Sequence, residues 1–213
     1  MFRLAVFVSG GGTNLQSIID SVEEGFLSNV VIDCVIASKP DTYAEVRAQN
    51  AGIDTFVVNR KEFSDQTEYD SVLIDKLSGR GIDLVVLAGF MCLLGSEFIR
   101  KYKNRIINIH PSLIPAFCGH GLYGLRPHQA ALEYGVKLTG ATVHFVDEEY
   151  DSGPILLQKS VPVYDTDTPE LLQQRVMALA EKEILPQAVY LLANNKVKIS
   201  GRRTIILEVQ NND

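Results

Sequence analysis

The sequence predicts an α/β fold: a Rossmann-like, mostly parallel twisted sheet with helices on both faces and an antiparallel C-terminal part. Three observations predict it. Short β-rich apolar runs alternate with helix-like stretches through the N-terminal half, the pattern of βαβ units. A glycine run, Gly10-Gly11-Gly12, falls where the first strand gives way to the first helix. Later, two β-rich runs follow one another with only an acidic loop between them, which suits antiparallel neighbours.

The strands are expected at Leu4–Ser9, Val31–Ser38, Thr55–Val58, Leu84–Ala88 and Arg105–Ile109. Between the first four lie helical stretches at Asn14–Glu24, Ala44–Ala51 and Thr67–Leu77. His128–Tyr134 reads as a short helix, and Gly140–Val146 and Ile155–Val163 as the antiparallel pair. A long helix starts after Thr168, a good N-cap, with Pro169 at its first position. Its apolar stripe includes Leu171, Leu172, Val176, Leu179, Ile184, Val189 and Leu192, and Pro186 is expected to kink it. Val197–Ser200 and Thr204–Val209 form a terminal hairpin around Gly201-Arg202.

The 213 residues suit one domain, and 46% apolar content supports a sizeable core. A net charge of −6 argues against a nucleic-acid or anionic-membrane surface. No apolar run approaches transmembrane length, and the N-terminus lacks the basic region of a signal peptide. Cys34, Cys92 and Cys118 form no C-x-x-C pair, so reduced thiols in a cytoplasm are expected. The four histidines and three cysteines make no metal pattern, and no metal is expected.

The run Asn108-Ile109-His110-Pro111-Ser112-Leu113-Ile114-Pro115 carries the most chemistry. Residues two apart in a strand face the same way, about 6.6–6.8 Å apart at Cα. Asn108 and His110 therefore project from one face at a strand end that Pro111 stiffens. A carboxamide donor beside a titratable imidazole suits an oxyanion. Asp151, in an Asp-Ser-Gly-Pro turn, is the candidate carboxylate that would keep the His110 imidazole charged at neutral pH, although turn chemistry alone would explain it. His144 faces away from Val143 and Phe145; a buried, satisfied imidazole and a role supporting the trio stay equally open. His120 and His128 read as surface or capping residues, and Glu181 as a solvated helical charge. Cys118 beside His120 is a weak candidate nucleophile, with nothing to orient the pair.

The loop Ser9-Gly10-Gly11-Gly12-Thr13-Asn14 offers helix N-terminal donors to a phosphate. It is a poor dinucleotide fingerprint, because Leu15 stands where a third small residue is wanted and no acidic residue ends the second strand. No Gly-Lys-Ser/Thr motif is present for a Walker loop. A ligand-free turn is the plain alternative; a phosphomonoester site at Gly12, Thr13 and Asn14 is favoured.

Together with Val85-Val-Leu-Ala-Gly-Phe-Met91, Thr142-Val-His-Phe-Val146 and the Arg175–Pro186 helix, these segments resemble the folate-dependent formyltransferases, in particular the phosphoribosylglycinamide formyltransferase family. The resemblance implies the formyltransferase fold and transfer of a formyl group from 10-formyltetrahydrofolate, a cosubstrate, to the amine of glycinamide ribonucleotide in purine synthesis. It implies Asn108, His110 and Asp151 as the catalytic trio and Gly12, Thr13 and Asn14 as the phosphate loop. Glu181 would contact the glycinamide. Met91, Cys92, Leu93, Leu94, Asn108, Asp147, Glu148, Glu149 and Tyr150 would wall the folate pocket. Residues 1–102 would form a ribonucleotide phosphate-binding half and 103–213 a folate-binding and catalytic half of one domain. The partners expected are small molecules, for a cytoplasmic monomer or homodimer. Rival expectations are a formyltetrahydrofolate hydrolase, another folate-dependent formyltransferase, and a non-catalytic ribonucleotide sensor. Four departures from the family pattern stand out: Cys92 where some members have Arg, Gln66 near a position that is basic and contacts folate in others, a longer Cys118–Pro127 loop, and one extra residue between Arg175 and Pro186.

Overall fold

The computed structural model describes residues 1–207. Its strands are β1 (Phe2–Val8), β2 (Val30–Ala37), β3 (Asp54–Val57), β4 (Leu84–Leu87), β5 (Ile106–His110), β6 (Leu138–Phe145), β7 (Ile155–Pro162), β8 (Val197–Ser200) and β9 (Arg203–Ile206). The helices are α1 (Thr13–Glu23), α2 (Tyr43–Asn50), α3 (Gln66–Leu77), α4 (Ser96–Lys101), α5 (Arg126–Tyr134), α6 (Pro169–Val176) and α7 (Lys182–Ala193). Strands β1 to β7 form one sheet in the order β3-β2-β1-β4-β5-β6-β7. The first five are parallel, and β6 and β7 add antiparallel to the β5 edge. β8 and β9 make a separate hairpin; Glu208 and Val209 of the expected last strand lie outside the described residues.

The period of two in β1 explains the layers. Leu4, Val6 and Val8 join one core, with α1 and α7, while Ala5 and Phe7 join the other, with α3 and α4. Both faces are covered, so the parallel strands read as unbroken apolar runs.

Sequence reasoning misplaced some features. It gave no helix at Ser96–Lys101; α4 has six residues, and its N-terminal amides Gly95 and Phe98 are held by the distant, buried Asp70 at 2.9 and 3.2 Å. The long C-terminal helix is interrupted at a π turn, Met177–Glu181, not at Pro186, which sits inside α7. The Pro186 ring presses on the carbonyl four residues back, Lys182, and the ladder widens immediately before it. Leu171 and Leu179, assigned to the apolar stripe, are about half exposed. The stripe runs instead through Leu172, Val176, Ala180, Ile184 and Leu185.

Gly140 in β6 marks the closest approach in the antiparallel pair. A Cβ there would lie 2.0 Å from the Lys159 carbonyl oxygen and 2.9 Å from Leu113 Cδ2. Gly140→Ala is expected to lower unfolding free energy by about 1–3 kcal/mol, the usual cost of overpacking, measured as a fall in the denaturant midpoint.

Candidate active site

The site lies at the switch point of the sheet, where β1 and β4 run in parallel and their chain connections leave to opposite sides. Loops after β1, β4 and β5 converge there. The Ser9 hydroxyl ties the segments after β1, β2 and β4 together: it accepts from the Ser38 hydroxyl at 2.6 Å and from the Met91 amide at 2.8 Å.

Asn108 and His110 sit on β5, paired across the sheet with His144 and Thr142 of β6. Directly opposed residues share a face, so the pairing sets the His144 ring against the Asn108 amide, Nδ2 to Nε2 3.2 Å. His144 Nδ1 lies 2.8 Å from the Phe145 carbonyl, an acceptor only, so Nδ1 carries the proton and Nε2 accepts from Asn108. His110 Nε2 likewise donates to the Phe117 carbonyl at 3.1 Å, leaving Nδ1 toward Asp151. Asp151 stands 3.6 Å from both His110 Nδ1 and His144 Nε2. The chain thus brings together all three residues of the expected trio, with His144 in direct contact rather than behind them.

Asp151 takes a left-handed conformation, φ 48°, tolerable for Asp because its short side chain bonds locally. The Gly119 amide donates to its Oδ2 at 2.9 Å. Gly153 lets the loop close: a Cβ there would sit 1.9 Å from the Phe145 carbonyl oxygen. Burial pushes the Asp151 carboxyl up, but His144, His110 and the Gly119 amide together hold it below the ordinary carboxylate range. His110 goes the other way from expectation. Burial draws it below the ordinary imidazole range and outweighs the nearby Asp151 carboxylate, so in the free protein it is neutral at pH 7 rather than kept charged.

In the glycine loop, Gly12 precedes α1 with φ +69° and no side chain caps the helix. A Cβ on Gly12 would meet Ala44 Cβ at 2.7 Å. The Asn14 side chain is turned inward and donates to Glu181 Oε2 at 2.6 Å. Glu181 is 4% exposed, so its assignment as a solvated helical charge fails: the π turn faces it into the site. Burial raises its pKa to about 7, against the Asn14 bond that lowers it.

A cleft of about 480 Å³ runs beside the trio. Met91 to Leu94, Asn108 and Asp147 to Tyr150 line it, as do His144 and Glu181. A second cavity of about 430 Å³ adjoins the glycine loop and shares Asn14, Gly89, Met91, Gln173 and Met177 with the first. Sequence reasoning missed Gln173 and Met177; with Glu181 they recur every four residues, a spacing that would have revealed one helix face. The 118–127 loop also lines the cleft, through Gly119 to Gly124. His120 is exposed there, edge-on to Tyr150 at 5.6 Å. Cys118 is a poor nucleophile, since burial and then Asp151 push its thiol up. His128, expected at the surface or as a cap, is fully buried on the inward face of α5; neither ring nitrogen has a partner among the described residues, and burial lowers its pKa to about 4.

A parallel sheet extended by an antiparallel pair, with an Asn/His/Asp cluster at the strand ends, is the architecture of a formyl transferase, and the family model for formyl transferases matches residues 2–189. The chain belongs to that family, within its phosphoribosylglycinamide formyltransferase branch. Phosphoribosylglycinamide formyltransferase of Haemophilus influenzae is 40% identical, covering 93% of this chain and 91% of its own. The glycinamide ribonucleotide transformylase 1 structure from Symbiobacterium toebii superposes with a TM-score of 0.91 at 43% identity, covering 98% of this chain and 95% of that one. The human trifunctional purine biosynthetic protein adenosine-3 is 44% identical over 92% of this chain, which spans only 19% of that protein's length.

Glu181 gives a pH test. Its folded pKa of about 7 lies above the ordinary 4.5, so the folded state holds a proton the unfolded state releases. Stability from this group is full below pH ~4.5 and falls as pH rises to ~7. Glu181→Gln is expected to gain stability relative to wild type across that window and hold a constant difference above it, read by urea unfolding at stepped pH.

Proposed function

We propose that the protein transfers the formyl group of 10-formyltetrahydrofolate to the primary amine of glycinamide ribonucleotide. The observation that carries this is the convergence of Asn108, His110, His144 and Asp151 on one wall of a cleft that continues into the glycine-loop cavity. Similarity to full-length phosphoribosylglycinamide formyltransferases supports the substrate pair.

The flat folate head fits the apolar stretch of the cleft between Met91 to Leu94 and Asp147 to Tyr150. The ribonucleotide phosphate sits on the α1 N-terminus at Gly12, Thr13 and Asn14, and the glycinamide reaches Glu181. With the phosphate anchored, the amine is aimed at the formyl carbon, and proximity supplies much of the rate.

The neutral amine attacks the formyl carbon, and the carbonyl oxygen becomes an oxyanion. Asn108 has one N–H committed to His144 and a second free for that oxygen. His110 starts neutral; the developing negative charge and Asp151 beside Nδ1 favour its taking there the proton that the amine loses, and the charge of the resulting imidazolium stabilises the oxyanion until that proton passes on to N10. Asp151 then organises passage of the proton lost by the amine to N10 as the C–N10 bond breaks. One proton leaves the amine and one arrives at N10, so no covalent enzyme intermediate is required.

Asn108→Ala and His110→Ala are each expected to lower kcat by about 10²–10³, the usual worth of one preorganised donor, with unchanged melting temperature. Mass spectrometry of the product should show one formyl group on the amine. Free formate alone would indicate the hydrolase, and binding without turnover the sensor. Thr13→Pro keeps the first helical turn but deletes one amide donor; it should raise KM for the ribonucleotide and not for the folate.

A further inference from the structure

Among the described residues, no lysine or arginine lines the glycine-loop cavity. An anion there meets uncharged groups, chiefly the loop's backbone amides with the hydroxyl of Thr13, and the direction of those amides decides how well they bind. Asn14 is 5% exposed and lines both cavities; its Oδ1, an acceptor with no partner among the described residues, suits an N–H or O–H of the ligand beside the phosphate rather than the phosphate itself.

Behind the loop stands α2, which contributes nothing to the cavity wall. The Ala44 amide donates to the Gly10 carbonyl at 3.1 Å, and Arg47 Nε donates to the Gly11 carbonyl at 2.9 Å. Arg47 is itself fixed, with Nη1 on Gln16 Oε1 at 2.8 Å and its guanidinium over the Tyr43 ring at 4.8 Å. The N-terminus of α2 is anchored by a Thr42–Glu45 capping box.

In a trans peptide the C=O and the following N–H point in opposite directions. Drawing the Gly10 and Gly11 carbonyls toward α2 therefore turns the Gly11 and Gly12 N–H groups away from it, toward the cavity. Glycine sets no preference of its own between these peptide orientations. A guanidinium on the Gly11 carbonyl also polarises that peptide and strengthens its N–H as a donor.

We propose that Arg47, from the side of the loop opposite the substrate, is a positioning residue that aims the Gly11 and Gly12 amides at the phosphate and so sets selectivity for a phosphorylated substrate. This rests on the placement of the ribonucleotide phosphate in the glycine loop.

The test compares glycinamide ribonucleotide with its dephosphorylated riboside, at saturating 10-formyltetrahydrofolate, for wild type, Arg47→Met, Arg47→Lys and Gln16→Leu. Arg47→Met should raise KM for the ribonucleotide about tenfold, as for loss of one charge-assisted hydrogen bond, with kcat and the riboside KM unchanged. Arg47→Lys keeps the charge but not the Nε donor geometry and should not restore the wild-type KM. Gln16→Leu frees the guanidinium without touching the loop and should give a smaller rise of the same kind; it carries the test if Arg47→Met melts early. An unchanged ribonucleotide KM in Arg47→Met, equal losses on ribonucleotide and riboside, or full rescue by lysine would each overturn the inference. Wild-type enzyme that treats both substrates alike would instead overturn the phosphate placement, and the inference with it.

Discussion

The antiparallel pairing of β5 with β6 is the constraint on which the site depends. Its register sets Asn108 against His144 and His110 against Thr142. A slip of one residue would turn every side chain of β6 to the opposite face and take His144 out of the cleft. The same hairpin returns the 146–154 loop over the strand ends, with Phe145 N donating to the Pro154 carbonyl at 2.9 Å, and so delivers Asp151 to both imidazoles. Polar groups from two distant stretches of the chain, Asn108 and His110 on one side and His144 and Asp151 on the other, are thus positioned by paired strands, which are stiffer than loops would be.

Within that frame two carboxyl groups meet opposite electrostatic fates. Asp151 has a backbone donor and two imidazoles around it, enough to outweigh the desolvation of its charge. Glu181 has one amide donor in a more fully closed place, and burial prevails. Asp151 is therefore ionised at neutral pH, whereas Glu181 titrates near neutrality. Two acids in one cleft differ because Asp151 has two ionisable imidazoles beside it as well as a backbone donor, whereas Glu181 has a single amide donor against its burial.

Much of this was legible in the sequence, and the parts that were not share a cause. The alternation of strands and helices, the glycine turn, and the Asn108/His110 spacing are local patterns, and they read directly. The α4 helix was hidden because its cap, Asp70, comes from α3 rather than from its own flank. His128 looked like a surface residue because only the packing of α5 shows which of its faces is inside. The neutral state of His110 was hidden too. Proximity of a carboxylate could be guessed from the motifs, but the extent of desolvation belongs to the folded surroundings.

The π turn takes one residue more than an α-helical turn would. In a regular α-helix one added residue rotates everything beyond it by about 100° and advances it about 1.5 Å. Widening one turn to i→i+5 bonds absorbs the extra residue where it enters. Gln173 and Met177 on the near side and Glu181 on the far side then all line the same cleft. The apolar residues after the turn, Ile184 and Leu185, stay packed on the sheet. Local irregularity here preserves the global arrangement: the strain is confined to a segment bordering the site, where the ring of Pro186 already disfavours a regular ladder, and the aim of the Glu181 carboxylate toward Asn14 is kept.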